Sequence, residues 1–163
     1  MFSFDIQALA RRVIEEGLAR GLTVACAESC TGGLVTGAIT AVPGSSTVLD
    51  RGFVTYSNDA KTQMLGVPAE AIATHGAVSE AVARAMAEGA LRNSRADVSV
   101  AVTGVAGPGG GSESKPVGLV HFAAAGPTGV VHVTRRFGDI GRDPVRLESV
   151  RTALGLLLDR IGA

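Results

Sequence analysis

One handover near the N-terminus limits the fold more than any other feature. An apolar run of strand length, Leu22 to Ala27, passes into a turn of small residues, Glu28-Ser29-Cys30-Thr31-Gly32-Gly33. The turn passes into a helical pattern, Leu34 to Val42, stopped by Pro43-Gly44. A helix between two strands carries the chain back to the end where the first strand began, so the flanking strands run parallel. Val48 to Tyr56, though interrupted by Asp50, Arg51 and Gly52, reads as the following strand. Late in the chain the pattern changes. Val117 to Ala124 and Val130 to Phe137 flank the turn Gly126-Pro127-Thr128-Gly129, which predicts an antiparallel hairpin.

Helical periodicity covers Asp5 to Arg20, Asn58 to Leu65, Ala69 to Thr74 and Ser79 to Asn93, and Asp143-Pro144 opens a last helix towards Arg160. Asp97 to Thr103 is a further apolar strand. Parallel and antiparallel pairs together, with helices enough for two faces, predict the α/β class: a three-layer α/β/α sandwich with a mixed parallel/antiparallel sheet. A chain of 163 residues is expected to form one domain.

Composition narrows function chiefly by exclusion. Fifteen Lys+Arg balance fifteen Asp+Glu and aromatics are scarce, so neither a general electrostatic hold on nucleic acid nor base-stacking platforms are expected. No apolar run reaches the ~18 residues of a membrane span. The N-terminus, MFSFDIQALARR, lacks a charged-then-apolar leader, so a cytoplasmic protein without a membrane partner is expected. Cys26 and Cys30 cannot build a disulfide framework or a four-ligand zinc site, and His75, His121 and His132 lack metal-ligand spacing, so no metal is expected. The basic residues lean to arginine: only Lys61 and Lys115 are lysines. Arg keeps its proton near neutral pH whereas a buried Lys gives it up, so a lysine in such a chain marks a place to look for chemistry.

Three segments gather the reactive side chains. Ser29, Cys30 and Thr31 sit where a strand hands over to a helix, at the carboxyl edge where α/β sheets bind ligands. Free N–H groups at the helix start favour negative charge there, so a hydroxyl could attack a carbonyl beside its own oxyanion donors. Ser29 or Thr31 could equally cap the helix, and Cys30 is a rival nucleophile. The second segment, Thr55-Tyr56-Ser57-Asn58-Asp59-Ala60-Lys61, holds the only tyrosine and a lysine that, if desolvated, can act as base to a serine. Lys61 could instead be a solvated helix residue. The third, Thr103 to Ser112, is glycine-rich, and such loops bring backbone N–H groups close to an anion. It is not a Walker loop, and no G-x-G-x-x-G follows the first strand, which excludes a dinucleotide oxidoreductase. Arg142 and Arg146, one helical turn apart, could grip a phosphate or form part of a solvated face.

Ala27-Glu28-Ser29-Cys30-Thr31-Gly32-Gly33, Tyr56-Ser57-Asn58-x-x-Lys61 and Thr103-Gly104-x-Ala106-Gly107-Pro108-Gly109-Gly110-Gly111, in that order, resemble the CinA C-terminal domain family. Its characterised members are nicotinamide-nucleotide amidohydrolases, and the likeness spans essentially the whole chain. Larger CinA proteins carry an N-terminal domain as well, whereas this chain is expected to start at the deamidase-like part. The approach to the last helix departs from the family's Gly-Asp-Arg-x-x-Val-Arg: both arginines are kept, but Ile140 and Gly141 part Asp139 from Arg142.

The resemblance implies conversion of nicotinamide mononucleotide and water to nicotinic acid mononucleotide and ammonia. Ser29 would attack the carboxamide carbon and Lys61 would serve as general base. Thr31, backbone N–H groups after Ser29, and Thr103 would hold the oxyanion, with Tyr56 positioning Lys61 or the substrate. Cys30, Gly32, Gly33, Gly104, Gly107, Gly109 and Gly110, with Arg142 or Arg146, would bind the substrate and its 5′-phosphate. No cofactor is implied; the partner is a small pyridine mononucleotide, and a homo-oligomer is expected. Two other classes remain at this stage: a non-catalytic nucleotide-binding or regulatory module of the competence/damage-inducible type, and a hydrolase of another amide.

Overall fold

Strand alternation sorts large side chains from small ones across the sheet. In the computed structural model, which describes residues 1–163, β1 (Val24–Glu28) and β3 (Val98–Gly104) turn Val24, Cys26, Val98, Val100 and Val102 to one face. Ala25, Ala27 and Ala101 face the other side. β4 (Leu119–Gly126) repeats this, with Val120 and Phe122 on the first face and Ala123 and Ala125 on the second. The larger side chains pack against α1 (Phe4–Arg20), α2 (Leu34–Thr40) and α6 (Arg142–Ile161). The alanine face takes α3 (Asn58–Leu65), α4 (Ala69–His75) and α5 (Glu80–Arg92).

The sheet order is β2-β1-β3-β4-β5, with β2 spanning Leu49–Val54 and β5 spanning Gly129–Arg136. β1 runs parallel to both β2 and β3, while β3, β4 and β5 are successively antiparallel. The result is the mixed, three-layer α/β arrangement that the chain's pattern predicts. One edge of this sheet therefore collects the ends of β1, β2, β3 and β5 and the start of β4.

Several boundaries differ from the sequence reading, each for a local reason. β2 ends at Val54 rather than Tyr56, because its ladder with β1 closes at the Glu28–Val54 pair. β4 begins at Leu119 rather than Val117, because the Gly118 N–H donates to the Val105 carbonyl across the end of β3. α6 begins at Arg142, after Gly141 at φ 104°. Its buried stripe, Val145, Val150, Ala153, Leu154, Leu157 and Ile161, lies against the valine face. Full burial of each larger aliphatic chain there stabilises by about 1.5–3 kcal/mol. On the alanine face α3 presses onto α5: a Cβ at Gly89 would lie 2.1 Å from the Leu65 carbonyl oxygen. That close approach fixes α3, and hence Lys61, against the sheet. No helix is long and apolar enough to cross a membrane.

Candidate active site

Ser29 is the first residue past β1. Its N–H donates to the Val102 carbonyl of β3 at 3.0 Å, and the Thr55 N–H donates to the Glu28 carbonyl at 2.8 Å. The ends of three strands are thereby tied at one point. Gly32 and Gly33, at φ 58° and 102°, then reverse the chain into α2 through a region that side chains avoid. Lys61 reaches this point from α3, whose N-cap Ser57 accepts from the Ala60 N–H.

The two side chains meet. Lys61 Nζ lies 3.0 Å from Ser29 Oγ, 2.7 Å from the Thr55 carbonyl and 3.3 Å from the Tyr56 carbonyl. Lys61 is 1% exposed and Ser29 8%. All three contacts are neutral oxygens, so no counter-charge offsets the cost of burying an ammonium. Burial accordingly pulls the Lys61 pKa below the ordinary lysine value, against a smaller upward influence from the Cys30 thiol. A neutral amine has two N–H bonds and one lone pair. Two carbonyls and one hydroxyl match that set, which leaves the lone pair for the serine proton.

Cys30 is buried and its thiol is pushed up to about 12, mainly by desolvation, so it stays protonated and weakly nucleophilic near neutral pH. Glu28 is 1% exposed, and its carboxylate accepts from the Val35 and Thr36 N–H groups and the Thr36 hydroxyl at 2.7–3.0 Å. The first turn of α2 is thus occupied by a protein carboxylate. These N–H groups are not free for a ligand, contrary to the expectation from the strand-to-helix handover. Thr31 is fully buried and its hydroxyl has no partner. The Thr103 hydroxyl donates to the Ala77 carbonyl at 2.9 Å.

A cavity of about 270 Å³ opens over this corner. Ser29, Cys30, Tyr56, Lys61, Thr103, Gly104, Gly107, Gly109, Gly110 and Arg142 all line it. Thr31, Gly32, Gly33 and Arg146 lie outside its lining. Tyr56 holds Lys61 through its backbone carbonyl, while its ring stands 64% exposed at the mouth and its hydroxyl is 3.4 Å from Arg142 Nη2. Arg142 Nη1 donates to the Gly107 carbonyl at 2.7 Å, which ties α6 to the glycine-rich loop. Arg146 donates to the Cys30 and Thr31 carbonyls at 3.1 and 3.3 Å, bracing the turn that carries Ser29. Asn58 and Ala77 also line the cavity. Asn58 stood in the quoted Tyr-Ser-Asn motif, whereas no local signal marks Ala77, which enters by packing beside β3.

His121 Nδ1 and His132 Nε2 lie 2.9 Å apart as a stacked pair across β4 and β5, as packed strand histidines. No group of three or more His, Cys, Asp or Glu side chains is arranged to hold a metal ion.

A serine facing a buried, unpaired lysine at the carboxyl edge of a mixed three-layer sheet defines a class: α/β proteins with a Ser–Lys pair at the end of the first strand. Residues 6–161 match the CinA C-terminal domain, and the chain belongs to that family. It is 55% identical over 157 residues to a CinA-like protein of Synechococcus sp. (strain RCC307), covering 96% of this chain and 38% of that protein. A CinA-like protein of Anaeromyxobacter sp. (strain K) is 55% identical over 150 residues, covering 91% and 36% respectively. The chain thus spans under two fifths of the length of these relatives. Among solved structures, the competence/damage inducible protein CihA from Agrobacterium tumefaciens superposes with a TM-score of 0.97 at 57% identity, covering 100% of this chain and 99% of that one. A CinA superfamily protein from Escherichia coli gives 0.90 at 35% identity, covering 97% and 92%.

Proposed function

We propose that this protein is an amidohydrolase that converts nicotinamide mononucleotide and water to nicotinic acid mononucleotide and ammonia. The observation that carries the reading is the 3.0 Å contact between Lys61 Nζ and Ser29 Oγ, made without a carboxylate partner to the amine. In the first step the neutral Lys61 amine takes the Ser29 proton as Oγ bonds to the carboxamide carbon. Backbone N–H groups of the turn after Ser29 receive the negative charge that develops on the carbonyl oxygen. The Lys61 ammonium then returns its proton to the departing nitrogen, and ammonia leaves an acyl ester on Ser29. Water, deprotonated by the same amine, attacks that ester; the Lys61 ammonium passes the proton to the departing Ser29 oxygen as the acid is released, which restores both groups. The Thr55 and Tyr56 carbonyls hold Nζ in place through the cycle.

The Cys30 thiol, kept protonated by burial, supports Ser29 as the nucleophile. Arg142, Tyr56 and the glycine-rich loop frame the opening through which the rest of the substrate would extend. Ammonia release from nicotinamide mononucleotide by the purified chain tests the proposal. Ser29→Ala is expected to lower turnover at least about 1,000-fold while the circular dichroism spectrum and melting temperature stay near those of the wild type. Binding of the mononucleotide without turnover by the wild type would instead identify a nucleotide-binding module. Turnover of other amides but not this one would move the substrate.

A further inference from the structure

Only two side chains of ordinarily charged type are buried in this protein, Glu28 and Lys61, each 1% exposed. They flank the Ser29 corner, and they do not pair. The pleat of β1 is the reason. Successive residues of a strand point to opposite faces, so Glu28 turns with Cys26 towards α2 while Ser29 turns towards Lys61 on α3. The sheet therefore stands between the one buried carboxylate and the one buried amine. An ion pair between them would have held the proton on Lys61.

The carboxylate is satisfied instead by the helix that follows. Glu28 Oε1 accepts from the Val35 N–H at 2.8 Å, and Oε2 accepts from the Thr36 N–H at 3.0 Å and the Thr36 hydroxyl at 2.7 Å. α2 depends on these bonds. It has seven residues, too few to hold a helix alone, and its N-cap, Gly33, supplies no side-chain bond. β2 makes room for the arrangement: a Cβ at Gly52 would lie 2.3 Å from Thr36 Oγ1. The glycine that interrupts the strand pattern thus admits the hydroxyl that Glu28 uses.

The backbone of Glu28 is fixed as firmly as its side chain. Its carbonyl accepts from the Thr55 N–H, and the next N–H, of Ser29, donates to the Val102 carbonyl. One residue therefore ties the sheet edge to α2 across the turn from Ser29 to Gly33. Within that turn the Gly32 and Leu34 N–H groups bond to the Ser29 and Thr31 carbonyls. The N–H of Cys30, a residue that lines the cavity beside Ser29, has no backbone acceptor. Such a donor serves an oxyanion only if it is held in place before the charge develops. Arg146 braces the turn from α6, whereas Glu28 joins its two ends.

We propose that Glu28 is a positioning residue: its carboxylate, clamped to the first turn of α2 and kept off Lys61 by the sheet, sets the Ser29 hydroxyl and the Cys30 N–H in the geometry that attack requires. The proposal rests on the reading of Ser29 as the nucleophile.

A fluorophosphonate probe, which a reactive serine attacks with loss of fluoride whatever its natural substrate, reads this geometry. The wild type is expected to be labelled at Ser29, at a rate that rises with pH as Lys61 loses its proton. Glu28→Gln keeps the size of the side chain but turns an amide NH2 towards donors. Its labelling per folded chain is expected to slow about 100-fold with the pH limb unmoved. For ammonia release, kcat is expected to fall while KM stays within about twofold. Thr36→Val is expected to slow labelling about tenfold, and Thr36→Ser, which keeps the hydroxyl, to stay within about twofold of the wild type. A wild-type rate in folded Glu28→Gln overturns the proposal. Where that variant does not fold, equal rates in Thr36→Val and Thr36→Ser overturn it. So does a slowed rate whose pH limb has moved, because Glu28 would then act on the Lys61 charge. A wild type labelled at Ser29 that releases no ammonia from the mononucleotide keeps the positioning role and removes that substrate. Ammonia release with labelling indifferent to Glu28 keeps the reaction and removes the role. A wild type not labelled at Ser29 removes the nucleophile, and the role with it.

Discussion

The two lysines of this arginine-rich chain occupy opposite environments. Lys61 is buried to 1% exposure, touches only neutral oxygens and is pulled below its ordinary pKa. Lys115 stands at the end of the glycine-rich loop, half-buried, with its ammonium donating to the His75 carbonyl at the surface. Both lie in polar, turn-rich sequence, and both appear equally worth locating from composition. Residue type and local context do not make a base; withdrawal from water without a counter-charge does.

The sharpest way to break this contrast is at Lys61. Lys61→Arg preserves the charge and much of the length but removes the lone pair, since a guanidinium holds its proton. Turnover of the mononucleotide is expected to fall between about 100- and 10,000-fold, measured as initial ammonia release. Activity near wild type in this variant would end the base assignment.

The pH profile sharpens it further. kcat/KM is expected to rise with pH through a limb set below the ordinary lysine value, because the proposed reaction requires Lys61 neutral in the free protein. The same shift ties stability to pH. Between the lowered folded-state pKa and the unfolded value of 10.5, the unfolded chain carries a proton that the native chain lacks. Wild-type stability should therefore increase with pH across that window relative to a Lys61→Met variant. Denaturant melts of both proteins at a series of pH values would show it, and parallel curves would contradict it. Lys115→Ala is expected to do least, changing stability by no more than about 0.5 kcal/mol and kcat/KM by less than about twofold. A large loss there would erase the distinction between the two lysines.

The strand-to-helix turn at Ser29 is legible because its signals are local: an apolar run, a small-residue turn with two glycines, and a helical pattern follow one another directly. The start of the helix at Ser79 is legible for the same reason, and so is the next cap to within Ser57 or Asn58; Ser57 and Ser79 each accept from the N–H three residues on. The hairpin and the mixed sheet follow from where helices and tight turns intervene between strands. The arginines near the last helix are another matter. Their spacing suggests a shared grip on phosphate, but carbonyls of Cys30, Thr31 and Gly107, all far away in the chain, occupy them. Glu28 likewise reads as part of a reactive cluster, yet its carboxylate closes the first turn of α2.

By itself the sequence determined the order of strands, turns and helices, and the neighbourhood in which a hydroxyl and an amine had to be sought. Helix and strand periods, glycine turns and caps act within a few residues, so the linear order is enough to express them. Tertiary structure alone decided that Lys61 would lose water without gaining a counter-charge, and that distant backbone carbonyls would occupy Arg142 and Arg146. Desolvation and hydrogen-bond partnership come from segments tens of residues apart, and only the packed sheet edge brings those segments together.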